Sequence, residues 1–174
     1  FREAGIPYQV AGDAELFTSQ EAQYALAYLR LAVNPTDAVA LARIVNVPPR
    51  RLGRLARRVA MEPGASSELA RMAKPYGSAV LMAVESLAQL IQVLAGRSAG
   101  LRPEEVLDLV LDETGLAEWL GAQPDAPTRM KRLEALRNLL EQATDGLAAW
   151  LDDLALASDV EIPSSQANAV LLSS

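Results

Sequence analysis

Six arginines, Arg43, Arg50, Arg51, Arg54, Arg57 and Arg58, stand in a stretch where no Asp or Glu occurs between Asp37 and Glu62. No other stretch of the chain concentrates reactive or binding groups in this way. A guanidinium carries a permanent charge and a planar fork of donors that matches a phosphate or a carboxylate. The whole chain has 16 basic and 22 acidic residues, for a net charge of −6. Without the six arginines it has 10 basic against 22 acidic residues, a balance of −12. The positive block is therefore a local field that the overall pI of about 4.7 conceals.

The residues around the block give it a geometry. Asn46-Val47-Pro48-Pro49 cannot be helical, because each proline lacks an N–H and restricts the residue before it. Gly53 supplies a turn from which a helix can start. Helical spacing then places Leu52, Leu55 and Val59 on one side and Arg50, Arg54, Arg57 and Arg58 largely on another. A turn that opens a helix with arginines at its start can meet a phosphate backbone through guanidinium groups and N–H groups together. Two other readings stay open. The arginines could pair with the chain's own acidic surface, or they could bind an acidic partner protein.

Other chemistry is excluded by what the chain lacks. It has no Cys and no His, which removes disulfides, thiolate nucleophiles, the commonest general base and the commonest metal ligand. No phosphate-loop, dinucleotide-turn or nucleophile-elbow motif occurs. The adjacent pairs Glu104–Glu105 and Asp152–Asp153 point to different sides of a helix and read as solvated charge. Trp119 and Trp150 fall on apolar sides of predicted helices and read as core. No catalytic residue and no metal site is expected. The absence of Cys is compatible with a reducing cytoplasm. No uninterrupted apolar run approaches a membrane span, and no basic leader opens the chain, so no membrane contact is expected.

The elements that must position the arginines are helices. Hydrophobic residues make up 51% of the 174, aromatics only 5%, and Leu and Ala dominate. Residues 1–4 read as a helix end and Tyr8–Val10 as a short strand. Thr18-x-x-Glu21 reads as a capping box opening a helix to about Val33. Asn34-Pro35 breaks it, and Thr36 or Asp37 caps a shorter helix to about Val45. After the arginine block come a short helix at Ser67–Ala73 and a long apolar one at Ser78–Ala95, ended by Gly96. Pro103 opens a helix to about Gly115, Leu116–Leu120 is short, and Thr128–Ala143 and Asp145–Leu156 are amphipathic. Ser158–Gln166 is a polar linker into a last strand at Asn168–Ser173. An orphan strand at each end suggests a sheet whose other strands lie outside this sequence.

Several pieces of the chain, in order and spacing, resemble the UvrD/Rep/PcrA group of superfamily 1 DNA helicases. They are Ala4–Val10 (AGIPYQV) with Gly12; Glu21 with Ala25–Leu31 (ALAYLRL); Asn34-Pro35 with Asp37; Arg43–Pro48 (RIVNVP); and Trp150–Asp159 (WLDDLALASD). The resemblance implies a mainly α fold, the helical 2B insertion of the second motor domain, with a short β-strand at each end left from the incomplete RecA-like domain 2A. Residues 1–35 would be the N-terminal 2A stub, 36–160 the 2B insertion, and 161–174 the linker and return strand.

The parent would be a 3′-to-5′ ATP-dependent DNA helicase of the bacterial cytoplasm and nucleoid. ATP and Mg²⁺ would be held elsewhere in it, with no cofactor in this part. Its partners would be the junction of double- and single-stranded DNA, its own motor domains, and repair or transcription proteins. The family's duplex-contacting turn reads Gly-Ile-Gly and corresponds here to Arg51-Leu52-Gly53, preceded by Arg50 and followed by Arg54, Arg57 and Arg58. The first Gly of that turn is therefore Arg51. In the motif before ALAYLRL, Glu21 is retained, while Ser19 and Tyr24 replace the usual Arg and Asp. The resemblance further implies a domain that holds the duplex and swivels on hinges near Asn34–Asp37 and Ser158–Gln166.

Overall fold

The computed structural model describes residues 14–62 and 66–157. Every regular element among them is helical: α1 (Ala14–Thr18), α2 (Gln20–Val33), α3 (Ala38–Ile44), α4 (Gly53–Met61), α5 (Ser66–Ala73), a 3₁₀ turn at Lys74–Tyr76, α6 (Ser78–Ser98), α7 (Pro103–Thr114), α8 (Leu116–Gly121), α9 (Ala126–Glu141) and α10 (147–157). The mainly α reading of the sequence holds. The two expected strands, at Tyr8–Val10 and Asn168–Ser173, lie outside the described residues, as does the linker at Ser158–Gln166.

Helix α2 is the axis of the bundle. Ala22, Ala25, Leu26, Ala27, Tyr28, Leu29, Leu31 and Ala32 are all buried, and a helix apolar on nearly every side must be surrounded. It packs against α3, α6, α7 and α9. The core continues through Leu41 and Ile44 of α3, Leu55 and Val59 of α4, Leu87, Ile91 and Leu94 of α6, and Leu107 and Val110 of α7. The same core takes in residues on both sides of residue 35. Asn34–Asp37 joins two helices that lie against each other, with Asp37 Oδ1 accepting from the N–H of Ala40 at 3.0 Å to cap α3. Trp150 is buried with its ring centroid 6.2 Å from that of Phe17, and Trp119 packs 6.1 Å from Tyr24, as core residues do.

Four local expectations are corrected. Glu104, read as solvated charge, is buried and pairs with Arg102 at 3.3 Å. The capping box does not form: Ser19 is the N-cap of α2, its Oγ accepting from the N–H of Ala22, while the Thr18 hydroxyl bonds back to the carbonyls of Ala14 and Glu15. Glu21, freed from capping, turns toward α9. Helix α6 runs through Gly96 to Ser98, and the chain reverses at Gly100, where φ is +82°. A single glycine costs a helix only about 1 kcal/mol, less than its flanking packing returns. Finally, α6 is long and apolar enough to cross a membrane by length and composition alone. Glu85 and Gln89 interrupt the apolar run in sequence and sit on the exposed side, while Val84, Leu87, Ile91 and Leu94 face the core.

Candidate nucleic-acid interface

The arginine block is built around one side chain, Asn46. Its Oδ1 accepts from the N–H groups of Arg50 at 2.7 Å and Leu52 at 3.0 Å, closing the loop over a cis Val47–Pro48 peptide bond. Pro48 and Pro49 bring no N–H to satisfy, so one amide oxygen suffices to organise the turn. Leu52 is buried and anchors the loop from below, and Gly53 opens α4.

The five arginines of the loop and α4 then divide into two groups. Arg50 turns inward. Its Nη1 donates to the carbonyls of Ile44 and Val47, each at 3.0 Å, with those of Val45 and Pro48 at 3.3 Å, and its Nη2 donates to Tyr28 Oη at 2.6 Å. The Tyr28 hydroxyl in turn donates to the Val47 carbonyl. Burial pushes the Tyr28 pKa above its usual value, against the opposing pull of Arg50, so the hydroxyl stays protonated and keeps that bond. Arg58 Nη1 reaches the Met72 carbonyl at 3.4 Å and ties α4 to α5. Arg43, upstream, donates to Gln23.

Arg51, Arg54 and Arg57 face outward. They line one groove of about 300 Å³ together with Leu52, Gly53, Leu55, Tyr76 and Val80. None of the three forms an ion pair among the described residues, although the chain is acidic. Helices α4 and α6 both begin at this groove without a side-chain cap. Their first-turn N–H groups add positive potential there. Among the described residues, pairing with the chain's own acids accounts for none of the outward three. Sequence reasoning missed Tyr76 and Val80, which come from a different part of the chain. The Lys74-Pro75-Tyr76-Gly77 turn was the available signal, but nothing in it points back to α4.

Arg51 stands at φ +61°, the left-handed region that L side chains avoid at roughly 1–2 kcal/mol. Arg51→Gly relieves that strain and gives back part of it as chain entropy, for a net gain of about 0.5–1 kcal/mol. Thermal unfolding should rise by roughly 1–4 °C, while the groove loses one of its three charges. A melting temperature that falls would overturn this assignment of strain.

Glu21 lies on the far side of α2 and is 1% exposed. Its Oε1 accepts from Arg129 at 3.1 Å and its Oε2 from Arg132 at 2.9 Å. Arg129 also holds Asp125 at 2.8 Å, and that bond is the leading cause of the lowered pKa of the Asp125 carboxyl. Glu21 therefore locks α2 to α9 inside the bundle. No group of metal-ligating side chains occurs among the described residues.

Comparison with known proteins gives the same relatives over nearly the whole chain. Residues 1–94 match the model of the UvrD-like helicase C-terminal domain. The chain is 29% identical to the ATP-dependent DNA helicase PcrA of Bacillus subtilis, over 91% of its own length and 23% of that protein. It is 30% identical to the ATP-dependent DNA helicase UvrD1 of Mycobacterium bovis, over 97% of its length and 26% of that protein. PcrA of Staphylococcus epidermidis is 26% identical over 99% of the chain and 26% of the relative. The chain thus spans about a quarter of the length of these relatives. With its family model matched over more than half its residues, it belongs to the UvrD-like helicase C-terminal domain family.

Proposed function

We propose that this chain is the helical 2B insertion of a 3′-to-5′ ATP-dependent DNA helicase, and that it rests on the duplex ahead of the fork through Arg51, Arg54 and Arg57. ATP and Mg²⁺ belong to motor domains elsewhere in the parent, which works in the bacterial cytoplasm on junctions of double- and single-stranded DNA. The observation that carries this reading is the groove itself. Three arginines without ion pairs among the described residues converge beside two uncapped helix starts, in a chain that is otherwise strongly acidic. Phosphate contacts of this kind position a protein on DNA without reading sequence. Arg50, Leu52 and Arg58 serve by shaping the loop, and Gly53 by opening α4. The body that swivels against the motor includes α2, because Glu21 and the core bind it to α9, α3 and α6.

The test is fluorescence anisotropy of the 174-residue chain with a tailed duplex across a salt series, beside the Arg54→Ala/Arg57→Ala variant. Loss of two phosphate contacts should make the slope of log K against log[salt] shallower by about 1.8. At physiological salt the unsubstituted 174-residue chain should bind on the order of 10⁻⁴ M or weaker, as non-specific contacts do. No duplex binding by that chain even at low salt would remove the duplex role and leave the acidic-partner reading of the same face. A variant that merely melts earlier would make these arginines structural.

A further inference from the structure

The geometry points to Tyr76 as a positioning residue that holds the Arg54 guanidinium in place in the groove, an inference that rests on the duplex reading above. The Arg54 guanidinium carbon lies over the Tyr76 ring, 5.4 Å from its centroid. Arg54 is exposed and makes no hydrogen bond or ion pair among the described residues, so this ring is the partner that orders it there. An exposed arginine otherwise loses rotamer entropy when a ligand fixes it. A ring face that already holds the guanidinium removes part of that cost before the ligand arrives.

The turn that delivers the ring is fixed by its own residues. Pro75 sets the 3₁₀ turn Lys74–Tyr76, and Gly77 follows at φ +104°, a backbone state that side chains with a Cβ rarely adopt. The turn carries the chain from α5 into α6 and leaves Tyr76 half-buried against α4. In this role the ring acts through Arg54.

The test is a double-mutant cycle on the full chain, with the same tailed duplex at low salt. Tyr76→Leu should weaken binding by about 2- to 5-fold, and Tyr76→Phe, which keeps the ring, should stay close to the parent. In the Arg54→Ala background, Tyr76→Leu should change nothing further. An equal loss in both backgrounds would mean that Tyr76 acts directly or through the fold, and would overturn the inference. So would full binding by Tyr76→Leu when Arg54→Ala is impaired. Proton NMR gives a readout independent of DNA: the Arg54 side-chain methylene protons should be shifted upfield by the ring in the parent and in Tyr76→Phe. Normal shifts in the parent would overturn the positioning role even if the duplex reading stands. Upfield shifts with no duplex binding by the parent would overturn the duplex reading instead, and with it any role of the pair in binding. If Tyr76→Leu folds poorly, Tyr76→Met fills similar space without a ring.

Discussion

Arg50→Ala should lower the melting temperature of this chain by roughly 6–12 °C while leaving the salt slope of duplex binding nearly unchanged in the folded fraction. The guanidinium bonds the carbonyls of Ile44 and Val47, approaches those of Val45 and Pro48, and bonds the Tyr28 hydroxyl. Charged hydrogen bonds of this kind are worth about 1.5–3 kcal/mol, and their removal leaves the part-buried carbonyls with fewer donors, Val47 keeping only the Tyr28 hydroxyl and Ile44 only the Val47 N–H. A net loss of about 3 kcal/mol follows, at roughly 2–4 °C per kcal/mol for a chain of this size. Arg50→Lys should rescue little, because an ammonium cannot span five acceptors held in different directions. Thermal unfolding followed by circular dichroism decides the matter. An Arg50→Ala protein that melts with the parent but loses duplex affinity would return Arg50 to the DNA surface.

Glu21→Ala should be the second large loss, about 2–3 kcal/mol or roughly 4–12 °C. The substitution leaves Arg129 and Arg132 facing the vacated site with side-chain exposures of only 20% and 35%. Removing one partner of a fully buried pair costs more, about 3–5 kcal/mol. Here Arg129 keeps Asp125, and both arginines still reach water, so the loss is smaller. Glu21→Gln should fall between, since it keeps an acceptor and drops the charge. Coupling between Glu21→Ala and Arg132→Ala in a double-mutant cycle should exceed the roughly 0.5 kcal/mol seen for independent sites. Additive losses would show that the pair does not join α2 to α9.

These two residues also show how far the sequence could be read. Arg50 was legible as part of the positive block and Glu21 as a capping residue in a motif the family shares. Both turn inward instead. A charged side chain in a motif announces that it needs partners, but a carbonyl, a phosphate and a guanidinium satisfy that need equally well on paper. Only the packing of α2 against α3 and α9 supplies the partners.

The helical class, the exclusion of thiol and histidine chemistry, the loop at Asn46–Pro49, the start of α4 at Gly53 and the family resemblance were all legible in the residues. Each of these is local: proline and glycine restrict the backbone where they stand, apolar periodicity marks a helix within a few turns, and motifs are read in order. Which arginines face solvent depends on tertiary packing: spacing grouped Arg50 and Arg58 with Arg54 and Arg57, yet Arg50 and Arg58 bond backbone carbonyls. The same packing made Arg51 a strained left-handed residue, brought Tyr76 over Arg54, and placed α2 inside the bundle rather than beside it. Those outcomes depend on contacts between residues far apart in the chain, and periodicity along one helix carries no record of what packs against it.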